Sequence, residues 1–328
     1  MESTNIPEPV RRKWLNPEKA RSLLAGHGIY LALVILVFIS VLLSPAFFTV
    51  SNLLNVLRAA AVLGIVSIGQ TFVILGGGID LSVGATMGTV AIAISEITRG
   101  SDDNVIIGIL VCLGIGLLIG LANGLLITKR NVPPFVVTLG MLIFVEGARL
   151  AYTKGIISGR PAPFIRSLAI VHGALPTPLI LLAVLILISA IILYRTPFGR
   201  RLYAVGGNRE AARFTGIRVD RVIIATYLIS GLFAAIAGLV LSGYIGYGDR
   251  YLGRGFDMDS IGATVIGGTT FAGGVGGIGG TIVGVLMLTS LFNIVLILGL
   301  PVEVQLLIKG FVIIGAVLMY TVLQRKRS

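Results

Sequence analysis

Charged residues are scarce in this 328-residue sequence, since Asp, Glu, Lys and Arg together make up only 12% of it. That share is about half of what a soluble domain carries. Hydrophobic residues make up 55% of the sequence, and the mean hydropathy is +1.00. A soluble globular fold is therefore excluded, and so is intrinsic disorder, which requires low hydrophobicity. The composition indicates an all-α polytopic membrane protein.

Residue types for metal or covalent chemistry are also rare. The sequence has one cysteine, Cys112, and two histidines, His27 and His172, which have no second ligand type nearby in the sequence. An intrachain disulfide is impossible, and a metal site is not supported. A phosphate-binding loop of the form G-x-x-x-x-G-K-[ST] is missing as well. We therefore expect no ATP site, no directly bound cofactor and no enzymatic activity on this chain.

Ten apolar segments are candidate membrane spans, because about 20 mostly apolar residues cross the hydrocarbon core as a helix. The third and eighth are short and rich in Gly, Ser and Thr. We expect the first to be an uncleaved anchor and not a signal peptide, since its basic leader is long and no small-residue cleavage site follows. The predicted spans are 29–44, 59–76, 81–98, 105–128, 134–153, 177–194, 222–244, 258–273, 279–298 and 305–323.

Basic residues set the expected orientation, since Lys and Arg accumulate in cytoplasmic loops. With both termini in the cytoplasm, the inside would hold five bases in the N-terminal tail, two at 129–130, seven in the loop 195–221 and three at the C-terminus. This distribution accounts for the net charge of +12 without nucleic acid. The expected organisation is a tail (1–28), a transmembrane domain (29–323) with a cytoplasmic loop at 195–221, and a C-terminal tail (324–328).

Glycine-rich breaks interrupt the apolar pattern at 76–84 and at 267–277. In the first break three glycines unwind a helix, and Asp80 stands where it can cap the next one. This break is either a tight hairpin or a half-helix terminus that lines a transport pathway. The tetrapeptides 68–71 and 261–264 match weakly at an offset of 193 residues, and each precedes a break. They indicate a weak internal repeat of the kind that transporter folds contain.

Two glycine series with four-residue spacing predict close packing of helices. They are Gly116, Gly120 and Gly124, and Gly276, Gly280 and Gly284. Small residues let helix backbones approach one another, which matters in lipid because helix association there depends on packing and not on water exclusion.

Polar and ionisable residues at membrane depth are candidates for function. Glu146 and Arg149, three residues apart, are placed to form either an ion pair or a site. Lys309 either snorkels or meets an acid from another helix. Uncharged polar groups at this depth bind either a neutral solute or a neighbouring helix. The candidate residues of a translocation path are Gln70, Asp80, Ser82, Asn123, Thr138 and Asn293.

A short helix is predicted within the loop 195–221. Asn208 is a good N-cap, Glu210 complements the helix dipole, and Gly216 is suited to end the helix. Ala211 and Ala212 favour helix between them. Two turns are too short to be stable alone, so we expect the helix to dock against something. Contact with anionic headgroups would use the arginines but would not explain the Glu-Ala-Ala core.

Four stretches carry a resemblance to a known family, in its order, from about residue 50 to the C-terminus. They are GGIDLSVG (77–84), ANGLLI (122–127) with PPFVVTLG (133–140), GRRLYAVGGN (199–208) continuing through EAA (210–212) to GI (216–217), and GGTTFAGG (267–274). The sequence resembles the inner-membrane permease subunits of bacterial ATP-binding-cassette (ABC) importers, specifically the ribose/xylose/arabinose-type sugar permeases. The third stretch is the most specific.

This resemblance implies a set of partners and a location. Two permease copies, identical or related, would form the path across the bacterial inner membrane and its lipid bilayer. Two ABC ATPase subunits, which hold the ATP and Mg²⁺, would dock beneath, and a periplasmic sugar-binding protein would deliver a pentose or hexose from above. The residues that resemble the coupling helix seated on the ATPase are Gly206, Gly207, Asn208, Glu210, Ala211, Ala212 and Gly216.

Other transport functions remain open at this point. A related ABC permease for nucleosides or branched-chain amino acids shares the plan, but a carboxylate-bearing solute favours a basic group in the path. The strictly intramembrane bases are Arg149 and Lys309 alone, so a sugar is preferred. An ion-coupled secondary transporter requires an ion pathway, for which Glu146 and Asp80 are the only starting points.

Overall fold

Helices dominate the part of the chain that the computed structural model describes, which is residues 17–154, 159–169, 171–172 and 175–325. The helices are α1 (Pro17–Leu43), α2 (Val50–Leu75), α3 (Val83–Thr98), α4 (Val105–Lys129), α5 (Pro134–Thr153), α6 (Pro163–Ser167), α7 (Thr177–Arg195), α8 (Pro197–Gly207), α9 (Arg209–Phe214), α10 (Val219–Ile245), α11 (Phe256–Ile266), α12 (Ile278–Ile297) and α13 (Val302–Arg325). A 3₁₀ turn (Pro45–Phe48) precedes α2, and a two-residue strand pair, β1 (Val171–His172) with β2 (Leu175–Pro176), precedes α7. The helical class is confirmed.

Six of these helices are long and apolar enough to cross a membrane, within the described residues: α2, α4, α5, α7, α10 and α12. Residues 28–43 of α1 and all of α3 are apolar but shorter. The predicted eighth span, 258–273, is wrong as a continuous helix, because α11 ends at Ile266 after 11 residues. At 1.5 Å per residue α11 is about 16 Å long, roughly half of the hydrocarbon core. The protein is multi-pass, and one of the helices expected to span is a half-helix.

The helices α10 and α2 occupy the centre of the molecule. Tyr227 and Phe233 of α10 and Phe72 of α2 are all buried. The helices α4, α5 and α7 surround this centre and leave most of their large apolar side chains exposed, for example Phe144 of α5. Helices that are apolar on the outside as well as the inside are expected where lipid replaces water.

Glycine allows close contacts between helices, as the sequence predicts. The series on α4 consists of Gly116, Gly120 and Gly124. A Cβ atom at any of these would overlap α10, at Gly231, Tyr227 and Ile224 respectively. In the second series, a Cβ atom at Gly284 would overlap Ala263 of α11, and one at Gly280 would overlap Gly267, the residue that follows α11. Gly276 does not, because α12 begins only at Ile278 and Gly276 lies in the preceding turn with a φ of +131°.

The connections between helices meet at two opposite faces. Lys129, at the end of α4, forms an ion pair of 2.9 Å with Asp220, at the end of the loop 195–221. On the opposite face the backbone N–H of Phe164 donates to Asp102 at 2.9 Å. We term the first of these the basic face. It consists of residues 76–82, 129–130, 196–220 and 267–277.

Candidate functional site

Three of the predicted path residues form a buried hydrogen-bond network behind the first glycine break. Oδ1 of Asp80 accepts from the backbone N–H and the hydroxyl of Ser82, at 3.0 and 2.6 Å. Its Oδ2 accepts from the hydroxyl of Ser230 on α10, at 2.8 Å. The amide of Asn123 on α4 donates to the Ser82 hydroxyl at 2.9 Å. The network therefore ties the break to two membrane helices, and its side chains are at most 1% exposed.

Gln70 and Thr138 belong to the same junction. The Gln70 side chain, with its amide oriented to satisfy both groups, pairs with the backbone N–H and C=O of Asp80 at 3.2 Å each. The carbonyl of Ile79 accepts from the Thr138 hydroxyl at 3.3 Å and from the hydroxyl of Tyr227 at 3.2 Å. Five of the six predicted path residues thus come together, and most of their polar groups are used on one another and on the backbone of the break.

Asn293 lies apart from this junction. Its side-chain amide exchanges two hydrogen bonds with that of Asn52, each 2.9 Å long. Asn52 also donates to the carbonyl of Phe47 in the 3₁₀ turn, at 2.8 Å. Asn52 is in the first turn of α2 and Asn293 near the end of α12, which places this pair at the end of the bundle opposite the basic face.

The short helix predicted in the loop 195–221 is present as α9. Oδ1 of Asn208 accepts from the N–H of Ala211 at 3.0 Å, so the predicted N-cap is confirmed. Gly216 follows the helix with a left-handed φ of +80°, and Ala212 is buried while Glu210 is exposed. The preceding helix, α8, was not predicted from the sequence. Its signal was Thr196 followed by proline, since the Thr196 hydroxyl caps α8 and proline is favoured at the first helical position.

This loop touches both glycine breaks. A Cβ atom at Gly206 would overlap the carbonyl of Leu75 and the backbone of Gly274, so only glycine fits there. The N–H of Gly274 donates to the Leu75 carbonyl at 2.9 Å, which joins the second break to the end of α2. Nη2 of Arg209 donates to the carbonyls that follow α2, at 3.1 Å each. The breaks and the loop therefore form one assembly on the basic face.

Tyr203 of α8 adds a further contact in this assembly. Its hydroxyl donates to the carbonyl of Gly276 in the second break at 2.8 Å. Burial raises the pKa of Tyr203 to about 12, so the hydroxyl stays protonated and able to donate at neutral pH.

The helices that precede the two breaks also lie side by side. The hydroxyl of Thr264 on α11 donates to the carbonyl of Ser67 on α2 at 3.3 Å. The hydroxyls of Thr71 on α2 and Thr281 on α12 are 2.7 Å apart. The helices that carry the two matching tetrapeptides, α2 and α11, are therefore in contact, while the internal repeat itself stays a prediction.

Intramembrane charges hold the connection between α10 and α11. Glu146 and Arg149 form an ion pair on α5 at 3.7 Å, one of the two alternatives, and Glu146 also pairs with Arg254 at 3.2 Å. The Arg149 guanidinium donates to the carbonyls of Arg250 and Leu252, at 3.0 and 3.4 Å. These contacts fix the segment 246–255 against α5.

Lys309 has a partner on another helix, as one of the two hypotheses predicted. Its ammonium group lies 2.5 Å from Oδ1 of Asp259, in the first turn of α11, and 4.9 Å from the ring centroid of Phe292. The half-helix α11 is thus tied to α13 by an ion pair. The charges that the sequence marks as unusual serve to hold residues 246–266 in place.

A cavity of about 1130 Å³ lies between α3, α4 and α5. Its wall is mostly apolar and includes Glu96, Arg149 and Tyr152. The six predicted path residues are not part of this wall. They lie at the junction and at the Asn52–Asn293 pair instead.

Comparison of the sequence with known proteins shows the family of this chain. Residues 52–317 match the family described as "Branched-chain amino acid transport system / permease component". The chain belongs to this permease family, and it is a transport subunit and not an enzyme.

Individual proteins are similar to this chain along most of its length. The chain is 40% identical over 312 residues to the ribose import permease protein of Bacillus subtilis (strain 168), covering 92% of this chain and 93% of that protein. It is 36% identical to the ribose import permease protein of Escherichia coli (strain K12), covering 88% and 91%. It is 35% identical to the xylose transport system permease protein of the same strain, covering 89% and 90%. Comparison with solved structures gives no significant match.

Proposed function

We propose that this chain is the transmembrane subunit of an ABC importer that carries a monosaccharide, a pentose or a hexose, into the bacterial cytoplasm. The observation that supports it most is the identity of 35–40% with ribose and xylose permeases along nearly the whole chain. A separate ATPase subunit would hydrolyse ATP with Mg²⁺, and a periplasmic binding protein would deliver the sugar.

A branched-chain amino acid is the substrate named in the family description, but two observations favour a sugar. The individual relatives are named for ribose and xylose. The intramembrane bases that would receive a carboxylate are engaged in this chain, Arg149 with Glu146 and two carbonyls, and Lys309 with Asp259. A neutral polar solute does not need a free cation.

An ion-coupled secondary transporter is not favoured. Such a protein needs a carboxylate that can exchange an ion during the cycle. Asp80 accepts three hydrogen bonds from Ser82 and Ser230, and Glu146 is paired with two arginines. Both starting points for an ion pathway are occupied by structural partners.

The basic face is the proposed cytoplasmic side. It contains Lys129, Arg130 and five of the seven arginines of the loop 195–221, which agrees with the enrichment of basic residues in cytoplasmic loops. We place both termini on this side and keep ten membrane segments, with α11 as the broken one. A second copy of the permease, identical or related, would complete the path.

The helix α9 is the proposed docking site for the ATPase. Its last residue, Phe214, is 91% exposed, whereas phenylalanine is among the residue types most often buried. The exposed Glu210 lies on the same helix, and the buried Ala212 faces the protein. A short helix that presents an apolar side chain is suited to a groove on a partner.

The substrate class is tested by uptake in cells that lack their own pentose permeases. The permease is expressed with the ATPase and binding protein encoded with it, and uptake of radiolabelled ribose, xylose, arabinose, leucine and adenosine is measured. We expect ATP-dependent uptake of at least one sugar, and no uptake of leucine or adenosine. Uptake of leucine or adenosine without any sugar would contradict the proposal.

A further inference from the structure

Arg209 differs from the other arginines of its loop. The loop 195–221 has seven arginines, of which six are exposed and only Arg209 is half-buried. Arginines that serve solubility or lipid headgroups stay in solvent, so a half-buried one in this loop requires its own explanation.

The partners of Arg209 are the backbone acceptors at the end of α2. Its Nη2 donates to the carbonyls of Gly76 and Gly77, both at 3.1 Å. These carbonyls follow the last helical residue, Leu75, where the helix dipole is negative and backbone acceptors lack helical partners. A cation is stabilised at this position, and here the cation is supplied by α9.

The same two carbonyls begin the break that the buried network holds. Asp80 lies three residues after Gly77 and is bonded to Ser230 of α10. Through Ser82 it is also connected to Asn123 of α4. A displacement of α9 therefore reaches three membrane helices through hydrogen-bonded groups. Because packed cores switch between discrete arrangements, a small shift at such a junction can reorient whole helices.

We propose that Arg209 is the positioning residue that transmits movement of α9 to the membrane helices and thereby couples ATP hydrolysis on the partner to opening of the path. This inference rests on the proposed function, since it needs an ATPase docked on α9. In this role Arg209 acts on the helices and not on the solute. It connects the docking helix to the first glycine break.

The experiment compares four proteins in proteoliposomes: the wild type, Arg209→Gln, Arg209→Lys and the control Arg201→Gln. Arg201 is exposed on α8 of the same loop, so its substitution makes the same charge change. Each permease is reconstituted with its ATPase and sugar-loaded binding protein. Uptake of radiolabelled ribose or xylose, whichever the wild type transports, and ATP hydrolysis are measured in parallel, together with the amount of ATPase that copurifies.

We expect Arg209→Gln to keep its ATPase and to hydrolyse ATP, while the sugar transported per ATP falls about tenfold or more, within the range of coupling between distant sites. Arg209→Lys should retain part of the ratio, since lysine keeps the charge but lacks the planar guanidinium that reaches both carbonyls. Arg201→Gln should give the wild-type ratio.

Two results would overturn the inference while leaving the proposed function in place. One is an unchanged ratio of sugar to ATP in Arg209→Gln. The other is a loss of protein and ATPase association with a normal ratio in the complexes that remain, which is the signature of a purely structural role. If the wild type itself shows no ATP-dependent uptake, the proposed function fails and this inference fails with it.

Discussion

At the scale of single residues, Asp80 is held by neutral donors and not by a cation. Its three hydrogen bonds come from Ser82 and Ser230. Asp80→Asn keeps an oxygen for Ser82, and the new amide can donate to the Ser230 hydroxyl, which is able to reverse its bond. Asp80→Ala leaves these buried donors without an acceptor, at a cost of about 1–3 kcal/mol for each group.

We therefore expect Asp80→Asn to unfold in detergent near the wild-type temperature and to transport sugar, and Asp80→Ala to unfold earlier with low uptake. Thermal unfolding and uptake are measured on the same preparations. Equal loss of uptake in both variants, with Asp80→Asn fully folded, would show that the negative charge itself is needed and would revive an ionic role.

At the scale of helices, packing of α4 on α10 depends on glycine at particular positions. Gly120 contacts the backbone of Tyr227, whereas a Cβ at Gly114 on the same helix would meet nothing within 4 Å. Gly120→Ala should destabilise the protein by about 1–3 kcal/mol through overpacking. Gly114→Ala should be neutral or stabilising by up to about 1 kcal/mol, since alanine is the better helix former. Both variants are denatured in the same detergent. Equal stability of the two would show that packing of α4 on α10 does not depend on the backbone contact at Gly120.

Also at the scale of helices, the sequence predicts most of the long helices but not every helix boundary or contact between helices. Apolar length predicts α2, α4, α5, α7, α10 and α12, because a bilayer requires long apolar helices whatever their neighbours. Apolar length gives a wrong prediction for α11. The polar and glycine-rich residues 267–273 are predicted as part of the span, although the helix ends at Ile266. Local capping rules find α9 through Asn208. The contact between Arg209 and the end of α2 joins residues 132 and 133 positions apart, so no local pattern contains it.

At the scale of the whole molecule, features that are separate in the sequence lie together at the basic face. The two glycine breaks, the arginine-rich loop and the Asp80 network meet there, and the intramembrane charges Glu146, Arg149 and Lys309 hold residues 246–266. Five of the six residues predicted to line the path form a junction between helices, and their role in the path stays a prediction. Composition identifies polar groups at membrane depth, but only the tertiary structure shows whether they face a solute or one another.

The central claim is that an ATPase drives this permease through α9, and the exposed Phe214 tests it most directly. The test variant is Phe214→Ala, and the control is Phe311→Ala, because the Phe311 side chain on α13 is 75% exposed as well. Both variants are purified with the ATPase, and retained ATPase and ATP-dependent sugar uptake are measured. We expect Phe214→Ala to bind the ATPase at least about tenfold more weakly, which is the usual cost of truncating an interface anchor, and to lose sugar uptake as a result. Phe311→Ala should keep both ATPase binding and uptake. Full ATPase retention and normal uptake by Phe214→Ala would contradict the central claim.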